Sequence, residues 1–298
     1  MLNPITFARK PEYFFHPSQA LHRFRRLWHN TKAEEIVRLP WGALVRVNTA
    51  ENVGIDIYQY GIFDKIVPET IWRLLDAGET GVDVGANIGQ NSSAMAFRSG
   101  PSGRVIAFEP HPEIFGELRT NVGRWPASLT TCLQLENVAL GTTDGEACLA
   151  DGPEFQHNRG SAAICKPASA TGRTFKVRLR KLDNYVPEST TVGVCKIDVE
   201  GHELDVLEGA KKTLERKGIR DIIFEDFKAQ PSPVTQLLRH HGFDIFRLVE
   251  RWLKPVILPL ETSPESGGFF SYNYLATLNP QRAANRFRTP GWRCLMHF

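Results

Sequence analysis

The sequence predicts an α/β domain whose central sheet is covered by helices on both faces. Short apolar runs alternate with amphipathic segments from residue 80 onward, an order typical of parallel strands joined by helices. A glycine-rich turn follows the first run directly, as expected where such a sheet binds a ligand at the carboxyl ends of its strands. With 298 residues the chain is long enough for one large domain or two small ones.

The boundaries of the elements follow from glycine, proline and polar residues that flank each apolar run. Residues 68–79 have a helical apolar period, and a turn-rich stretch extends to about residue 172. We predict buried strands at 80–85, 103–109, 130–140, 192–201 and 220–226, helices at 88–98, 112–125, 202–218 and 232–243, an inserted or edge strand at 173–182, and an antiparallel pair at 243–249 and 270–278.

The residues before position 61 are predicted to form a small extension that packs on the body. Residues 12–30 have the pattern of an irregular or helical lead-in. Residues 43–49 and 53–61 alternate enough to predict two short strands. We therefore predict an extension over 1–60 and a main domain over 61–298.

Composition is typical of a globular cytoplasmic protein. The hydrophobic fraction is 42%, no run approaches 18 apolar residues, and the first residues lack the pattern of a secretory signal. The five cysteines form no CxxC pair, which predicts buried thiols and no zinc site.

Basic residues are concentrated at the two ends of the chain. Residues 1–30 hold five basic side chains against one acid, and residues 281–298 hold four against none. Such ends favour weak peripheral association with an anionic surface, or they are simply solvated arms. No basic stripe interleaved with aromatic residues runs through the body, so we predict no nucleic-acid partner.

The turn "DVGANIG", residues 83–89, predicts the class of ligand. Gly85 allows a tight turn, and Gly89 lets the next helix begin close to the strand. The spacing is G-x-x-x-G instead of the dinucleotide fingerprint G-x-G-x-x-G, and Asp83 precedes it. An acid there is unfavourable beside pyrophosphate but suits S-adenosylmethionine, which has an ammonium, a sulfonium and no phosphate.

Two further groups of polar residues end predicted strands. Glu109 follows the second strand, where a carboxylate accepts both ribose hydroxyls; NAD-binding folds use the same device. Lys196, Asp198, Glu200 and His202 occupy alternate positions in "KIDVEGHE", at the end of another buried strand. Ionisable groups so placed are typical of functional sites, although Glu200 or His202 has the alternative role of capping the following helix.

With these motifs in view, the chain resembles the FkbM-type S-adenosylmethionine-dependent methyltransferases. The resemblance rests on "DVGANIGQNS", "GRVIAFEPHPEIFGELRTNV", "NVALG" and "KIDVEGHELDVLEGA", and it extends from about Gly61 to Trp292. It implies a Rossmann-like methyltransferase sheet of seven strands, mostly parallel, with an antiparallel edge. The order and spacing of these motifs are far more specific than any one of them.

The resemblance also implies roles for individual residues. Residues 155–163 would form a loop over the substrate. Many methyltransferases place an acid near adenine, and here the acid in question, Glu136, comes one residue early. The implied cofactor contacts are Asp83, Gly85, Ala86, Asn87 and Gly89 for the methionine part, Glu109 for ribose, His111, Asn137 and Ala139 for adenine, and Asp198 beside the methyl group.

Methyl transfer to an alcohol requires alignment and a base for the hydroxyl proton. Asp198, Glu200 and His202 are the predicted catalytic residues. We predict no metal; the alternative is a magnesium ion held by Asp198 and Glu200, which would lower the hydroxyl pKa.

The predicted reaction is O-methylation of a hydroxyl on a glycan, a polyketide or another secondary metabolite. The alternatives are an NAD-dependent oxidoreductase of a sugar or small alcohol, and a non-catalytic S-adenosylmethionine-binding scaffold. A base-modifying methyltransferase is disfavoured because residues 198–201 read DVEG and not an Asp/Asn-Pro-Pro-aromatic tetrapeptide. Nothing in the sequence selects one acceptor or an oligomeric state.

Overall fold

The computed structural model of the protein describes residues 11–15, 33–155, 157–165, 172–262 and 270–296, and these form the predicted α/β fold. The strands lie in sheets of two, eight and four. They are β1 Glu34–Arg38, β2 Leu44–Asn48, β3 Thr80–Val84, β4 Arg104–Phe108, β5 Leu133–Glu136, β6 Ala139–Leu140, β7 Gly145–Ala150, β8 Ala163–Cys165, β9 Thr174–Arg180, β10 Val192–Ile197, β11 Ile219–Glu225, β12 Asp244–Glu250, β13 Pro255–Pro259 and β14 Phe270–Thr277.

Helices connect the strands and cover both faces of the large sheet. The longest described helix has 11 residues. They are α1 Pro11–Phe15, α2 Asn52–Tyr60, α3 Ile66–Leu74, α4 Gln90–Ser99, α5 Pro112–Val122, α6 Ala127–Thr130, α7 Glu203–Glu208, α8 Lys211–Glu215, α9 Pro233–His240 and α10 Pro280–Arg288. None of the helices described is long and apolar enough to cross a membrane.

The large sheet has the order β13-β12-β14-β11-β10-β3-β4-β5. Strands β5, β4, β3, β10 and β11 are parallel, and the predicted antiparallel edge is formed by β14, β12 and β13. The chain runs outward in one direction from β3 and in the other from β10. The point where strand order reverses, and where ligands bind in such sheets, therefore lies between β3 and β10.

The prediction of seven strands is wrong by one, because β13 extends the antiparallel edge. Pro255 and Pro259 bound this strand, and proline is normally read as a sign against strand structure. An edge strand tolerates proline because one side of it has no partner to which an N–H must donate. β13 pairs with β12 alone, so both prolines are accommodated.

Three further expectations are corrected by the structure. Residues 53–61 form α2 and not a strand, since the Glu51 side chain caps the Gly54 N–H and Gly61 ends the helix in the left-handed conformation. Residues 130–140 divide between β5 and β6, and β6 joins the separate four-stranded sheet with β7, β8 and β9. The helix predicted at 202–218 breaks into α7 and α8 at Gly209, where a Cβ would lie 2.1 Å from the Gly141 carbonyl oxygen.

Alternate residues of the parallel strands face two apolar cores. Val105 and Val194 contact the core under α3 and α4, whereas Ile106 and Cys195 contact the core under α7 and α9. A strand buried on both faces explains why these runs are continuously apolar.

The small β1–β2 sheet packs on the body through two long-range hydrogen bonds. The Arg46 N–H donates to Asn121 Oδ1 over 2.8 Å, and Trp125 Nε1 donates to the Leu44 carbonyl over 3.0 Å. Of the predicted lead-in 12–30, only the part up to residue 15 lies within the described residues. The boundary near residue 60 stays a prediction.

The basic ends were predicted to favour an anionic surface, and part of the second one is already paired. Arg282 forms ion pairs with Asp76 and Asp221, and Arg286 pairs with Asp76. The basic residues of 1–30 lie outside the described residues. Among the cysteines, Cys132, Cys195 and Cys294 are buried as predicted, whereas Cys148 and Cys165 are half-buried.

Arg73 in α3 fixes the C-terminal segment on the body. Its side chain is fully buried, and so is that of its ion-pair partner Glu69. The guanidinium also donates to the carbonyls of Arg286, Thr289 and Gly291 over 2.7–3.0 Å. Glu69 Oε2 accepts from the Cys294 N–H over 2.7 Å, so the pair is satisfied on both sides.

The substitution Arg73→Ala should lower the free energy of unfolding by about 3–5 kcal/mol, because Glu69 is left buried without its counterion. Urea titration measures the change. The matched control is Lys211→Ala, which removes an exposed ion pair with Glu215 and should change stability little. A loss for Arg73→Ala no larger than for the control would contradict the assignment.

Candidate functional site

A cavity of about 790 Å³ opens at the carboxyl ends of β3, β4, β10 and β11. Its volume lies within the range of small-molecule sites. One part is formed by the turn after β3 and by the end of β4, and another by residues that follow β10 and β11 and by two residues of β14. The predicted residues that line it are Gly85, Ala86, Asn87, Glu109, His111, Ala139, Asp198, Glu200 and His202.

The turn after β3 is held tightly against neighbouring backbone. The N–H groups of Gly85 and Ala86 both donate to the Phe108 carbonyl over 3.0 and 2.9 Å. Gly85 has φ +78°, and a Cβ there would lie 1.9 Å from the Asp198 carbonyl oxygen. Only glycine fits this position, since both the backbone conformation and the close approach exclude a side chain.

Gly89 does not line the cavity but sits behind the turn. It has φ +100°, and a Cβ would lie 2.7 Å from Leu118 Cδ1 and 3.2 Å from Trp125. Gly89 therefore allows α4 to begin close to its neighbours, which is the packing role that the sequence predicted. Its predicted direct contact with a ligand is not supported.

Asp83 is also sealed off from the cavity, which corrects the predicted contact with a cationic ligand. Its side chain is fully buried, accepts a hydrogen bond from Ser92 Oγ over 2.5 Å and lies 3.5 Å from Lys196 Nζ. Lys196 is 3% exposed and donates to the Gly85 carbonyl over 2.6 Å. The acid thus neutralises an internal lysine, because Lys196 and Asp83 are paired across β10 and β3 and their side chains point to the same face of the sheet.

Glu109 follows β4 and presents a carboxylate to the cavity. Its two oxygens accept from the backbone N–H groups of Asn87 and His111, each over 2.9 Å. Asn87 has φ +48°, a left-handed conformation that asparagine tolerates and that aims its N–H at the acid. Burial raises the pKa of Glu109 to about 7, although the two N–H donors oppose the shift.

His111 contributes its backbone, but its ring is committed to structure. Nε2 lies 3.0 Å from Asp151 Oδ1, Nδ1 accepts from the Ile114 N–H, and the ring stacks on Phe155. Burial lowers the pKa of His111, so the neutral ring donates from Nε2 to Asp151. Both nitrogens are engaged, which leaves no polar atom of the ring for the predicted adenine contact.

Beyond Glu109 the cavity becomes apolar, as a flat heterocycle requires. Its wall there is formed by Val138, Ala139, Leu140 and Leu149. Asn137 does not line the cavity; its Nδ2 donates to the carbonyls of Glu109 and Pro110 and so holds the loop. Glu136 accepts from Gln134 Nε2 over 2.9 Å and is absent from the wall, so the expected acid is not found there.

Asp198 and Glu200 line the cavity directly after β10. The Asp198 side chain is 45% exposed, and its Oδ2 lies 3.4 Å from Lys196 Nζ. Glu200 has φ +55°, a strained conformation that turns the chain before α7. Burial and repulsion by Asp198 and Glu203 raise the pKa of Glu200 to about 7.

His202 lines the cavity, but the structure disfavours it as a base. Nε2 lies 3.0 Å from the Ile164 carbonyl oxygen, and Nδ1 lies 2.9 Å from Asp205 Oδ2. A carbonyl oxygen only accepts, so Nε2 must carry a proton, and the remaining nitrogen faces Asp205. The ring instead ties α7 to β8.

The loop predicted to cover the substrate forms one wall of the cavity over residues 158–162, and Gln156 lies outside the described residues. Asn158 Oδ1 accepts from the Gly160 N–H, and Arg159 forms an ion pair with Glu117. A Cβ on Gly160 would lie 3.6 Å from Glu200 Oε1 and 3.8 Å from Asn87 Nδ2. This glycine therefore lets the loop approach both Glu200 and Asn87 closely.

Several lining residues were not predicted from the sequence. Lys196 was noticed only as part of an alternating pattern, and its burial identifies it as the counterion of Asp83 and Asp198. Asp64 and Glu225 lie 161 positions apart and reach the cavity only through the pairing of strands. Within the described part of the chain, no group of three or more His, Cys, Asp or Glu is arranged to hold a metal ion. The absence of a metal stays a prediction.

Comparisons with known proteins identify a family and several relatives. The family model described as "Methyltransferase FkbM domain" matches residues 83–245, more than half of the chain. The hexuronic acid methyltransferase AglP of Haloferax volcanii is 29% identical over 187 residues, which cover 57% of this chain and 72% of that protein. The methyltransferase sdnD of Sordaria araneosa is 28% identical over 247 residues, covering 69% and 93%.

Solved structures resemble the chain only distantly. An S-adenosylmethionine-dependent O-methyltransferase from Thermotoga maritima has 13% identity and a TM-score of 0.41, covering 85% of this chain and 81% of that chain. Similarity at this level supports no conclusion about function.

The substitution Gly85→Ala should destabilise the protein and weaken ligand binding, because its Cβ collides with the Asp198 backbone. Gly116→Ala is the matched control: it lies in α5 with open space around its Cβ and should raise the unfolding free energy by about 0.5–1 kcal/mol. Urea titration of both variants measures the difference. Equal stability of the two variants would contradict the geometry of the turn.

Burial of acids in the cavity should make the ligand-free protein less stable as pH rises. Glu109 and Glu200 have pKa values of about 7 in the folded protein against 4.5 ordinarily, so between these values the folded state binds more protons than the unfolded state. The unfolding free energy should therefore fall between pH 4.5 and 7, measured by urea titration. The double variant Glu109→Gln/Glu200→Gln should flatten this slope, whereas Glu188→Gln, an exposed acid outside the cavity, should not. An unchanged slope in the double variant would refute the assignment.

Proposed function

Because this chain belongs to the FkbM methyltransferase family, we propose that it transfers a methyl group from S-adenosylmethionine to a hydroxyl of a glycan, a polyketide or another secondary metabolite. The family match confirms the predicted family and cofactor. The observation that carries the proposed reaction is that one continuous cavity joins Glu109 to Asp198 and Glu200. The relative AglP is named for methylation of a hexuronic acid, which supports a sugar among the proposed acceptors.

The residues at the β3–β4 end fit S-adenosylmethionine. Glu109 has both oxygens fixed by backbone donors, and each oxygen keeps a lone pair for a ribose hydroxyl. The apolar wall that contains Ala139 and Leu149 suits adenine. Gly85, Ala86 and Asn87 would flank the methionine part, where the absence of a side chain on Gly85 lets the turn lie directly against the Asp198 backbone.

When bound, S-adenosylmethionine supplies a methyl group already activated by its sulfonium, so the protein has to align the acceptor and remove one proton. We assign Glu200 as the base that accepts the proton of the acceptor hydroxyl. Its pKa of about 7 matches a base that works near neutral pH, and no described side chain forms an ion pair with it. An acceptor hydroxyl would lose its proton to Glu200 as the new C–O bond forms.

Asp198 and Lys196 are assigned positioning roles. Lys196 holds Asp198 at 3.4 Å and the Gly85 carbonyl at 2.6 Å, which fixes the end of β10 against the cofactor turn. Asp198 is the acid nearest this junction, and we place its carboxylate beside the transferring methyl group. The absence of a metal, the absence of a nucleic-acid partner and the cytoplasmic location remain part of this proposal.

Substitution of the two acids should separate binding from chemistry. Glu200→Gln should lower kcat about 10²–10⁴-fold with little change in affinity for S-adenosylhomocysteine. Glu109→Gln should weaken that affinity, because a ribose acceptor is lost. Transfer of labelled methyl to the acceptor and calorimetric binding of S-adenosylhomocysteine are the two measurements, and Glu188→Gln is the control.

The same measurements decide between the proposal and its alternatives. Full turnover by Glu200→Gln would refute the base assignment. Thermal stabilisation by NAD and not by S-adenosylhomocysteine would favour an oxidoreductase. Binding of S-adenosylhomocysteine without transfer to any hydroxyl acceptor would favour a scaffold.

A further inference from the structure

The part of the cavity lined by Asp64 and by residues in or just after β10, β11 and β14 combines acids with two exposed aromatic rings. We call this set, Asp64, Glu200, Glu225, Phe227 and Tyr272, the acceptor wall. Glu225 ends β11, and its strand partner in β14 is Asn273, whose Nδ2 donates to Asp64 Oδ2 over 2.8 Å. Strand pairing thus brings together acids from distant parts of the chain.

Like charge accumulates on the acceptor wall. Burial and repulsion by Glu250 and Asp198 raise the pKa of Asp64 to about 7. Burial and repulsion by Asp198, Asp64 and Glu200 raise the pKa of Glu225. Asp64, Glu200 and Glu225 line the same cavity, and a cation placed among them would relieve their repulsion.

The nearby lysines already have partners. Lys65 forms ion pairs with both Glu12 and Glu250, and Lys196 lies between Asp83 and Asp198. Among the described side chains, none forms an ion pair with Glu200 or Glu225. The wall consequently presents acids without a described counterion, and a cationic ligand would favour their ionised form.

A second, independent feature also points to a missing donor. Glu12 lines the same cavity and is 6% exposed. Its Oε1 is paired with Lys65 over 3.0 Å, but its Oε2 has no hydrogen-bond partner in the described part of the chain. A buried carboxylate oxygen without a donor leaves a desolvation cost that no described group compensates.

The aromatic rings supply a surface that suits a cation. Phe227 and Tyr272 are 61% and 51% exposed, and their ring centroids lie 4.7 Å apart with the planes tilted by 47°. Exposed aromatic residues on a cavity wall are typical of a binding surface. The faces of such rings attract ammonium groups, most strongly when the cation is shielded from water.

We propose that the acceptor carries a protonated amine beside its reactive hydroxyl, as an amino sugar does, and that the ammonium group binds the acceptor wall. This inference rests on the proposed methyl transfer and narrows its acceptor class. The acceptor wall would therefore bind a cationic group, whereas the basic ends of the chain suggested an anionic partner.

Three methyl glycosides that differ in charge test the inference. Calorimetry on the protein saturated with S-adenosylhomocysteine should show that methyl β-glucosaminide binds roughly tenfold or more tightly than methyl β-glucoside. Methyl β-glucuronide should bind most weakly, and the preference should shrink as salt is added. Absence of saturable glucosaminide binding, or binding no tighter than that of the glucoside, would overturn the inference.

Variants of the wall locate the effect. Glu225→Gln and Phe227→Ala should each reduce the preference for the glucosaminide several-fold, whereas Glu188→Gln should preserve it. An unchanged preference in both wall variants would also overturn the inference.

Binding of S-adenosylhomocysteine is measured first, so that failure of the proposed methyl transfer can be distinguished from failure of the proposed acceptor class. If it does not bind, the proposed methyl transfer fails, and the glycosides are compared on the free protein. If it binds and the glucosaminide is not preferred, the acceptor class alone is wrong.

Discussion

The buried ammonium group of Lys196 holds together the parts of the cavity that perform different tasks. It faces Asp83 and Asp198 at 3.5 and 3.4 Å and donates to the Gly85 carbonyl. A lysine that is 3% exposed is tolerated only with such partners. The turn after β3 and Asp198 therefore share one counterion, and neither can shift without disturbing the other.

Charge along the cavity follows from that arrangement. The internal lysine forms its ion pairs with Asp83 and Asp198, so it does not neutralise the other acids that line the cavity. Glu109 is stabilised as an acceptor by two backbone donors, whereas Glu200 has repelling neighbours. Two carboxylates with pKa values of about 7 thus lie in different surroundings, one held by backbone donors and the other beside repelling acids, which is consistent with the different roles proposed for them.

Local patterns predicted the parts of the site that depend on short stretches of chain. Gly85, Glu109 and Asp198 follow buried strands, and parallel strands end at the same edge, so their meeting required no further information. The burial of Asp83 depends on its contact with Lys196, and the role of His202 depends on its contact with Ile164. Neither contact can be predicted from a short stretch of sequence. The predictions that omitted strand β13 and read α2 as a strand were wrong for a similar reason. The edge position of β13 tolerates its prolines, and the Glu51 side chain caps α2, and neither feature follows from the local residue pattern.

The ion pair between Glu69 and Arg73 has a consequence for how the chain is made. The carbonyls that complete the guanidinium's hydrogen bonds lie 213 to 218 positions later in the sequence. While the ribosome is still synthesising the middle of the chain, this pair must stay hydrated, because burying it without those partners is unfavourable. The core around α3 can therefore close completely only after residues 286–294 have been synthesised, so the packing of this early helix depends on a late segment of the chain.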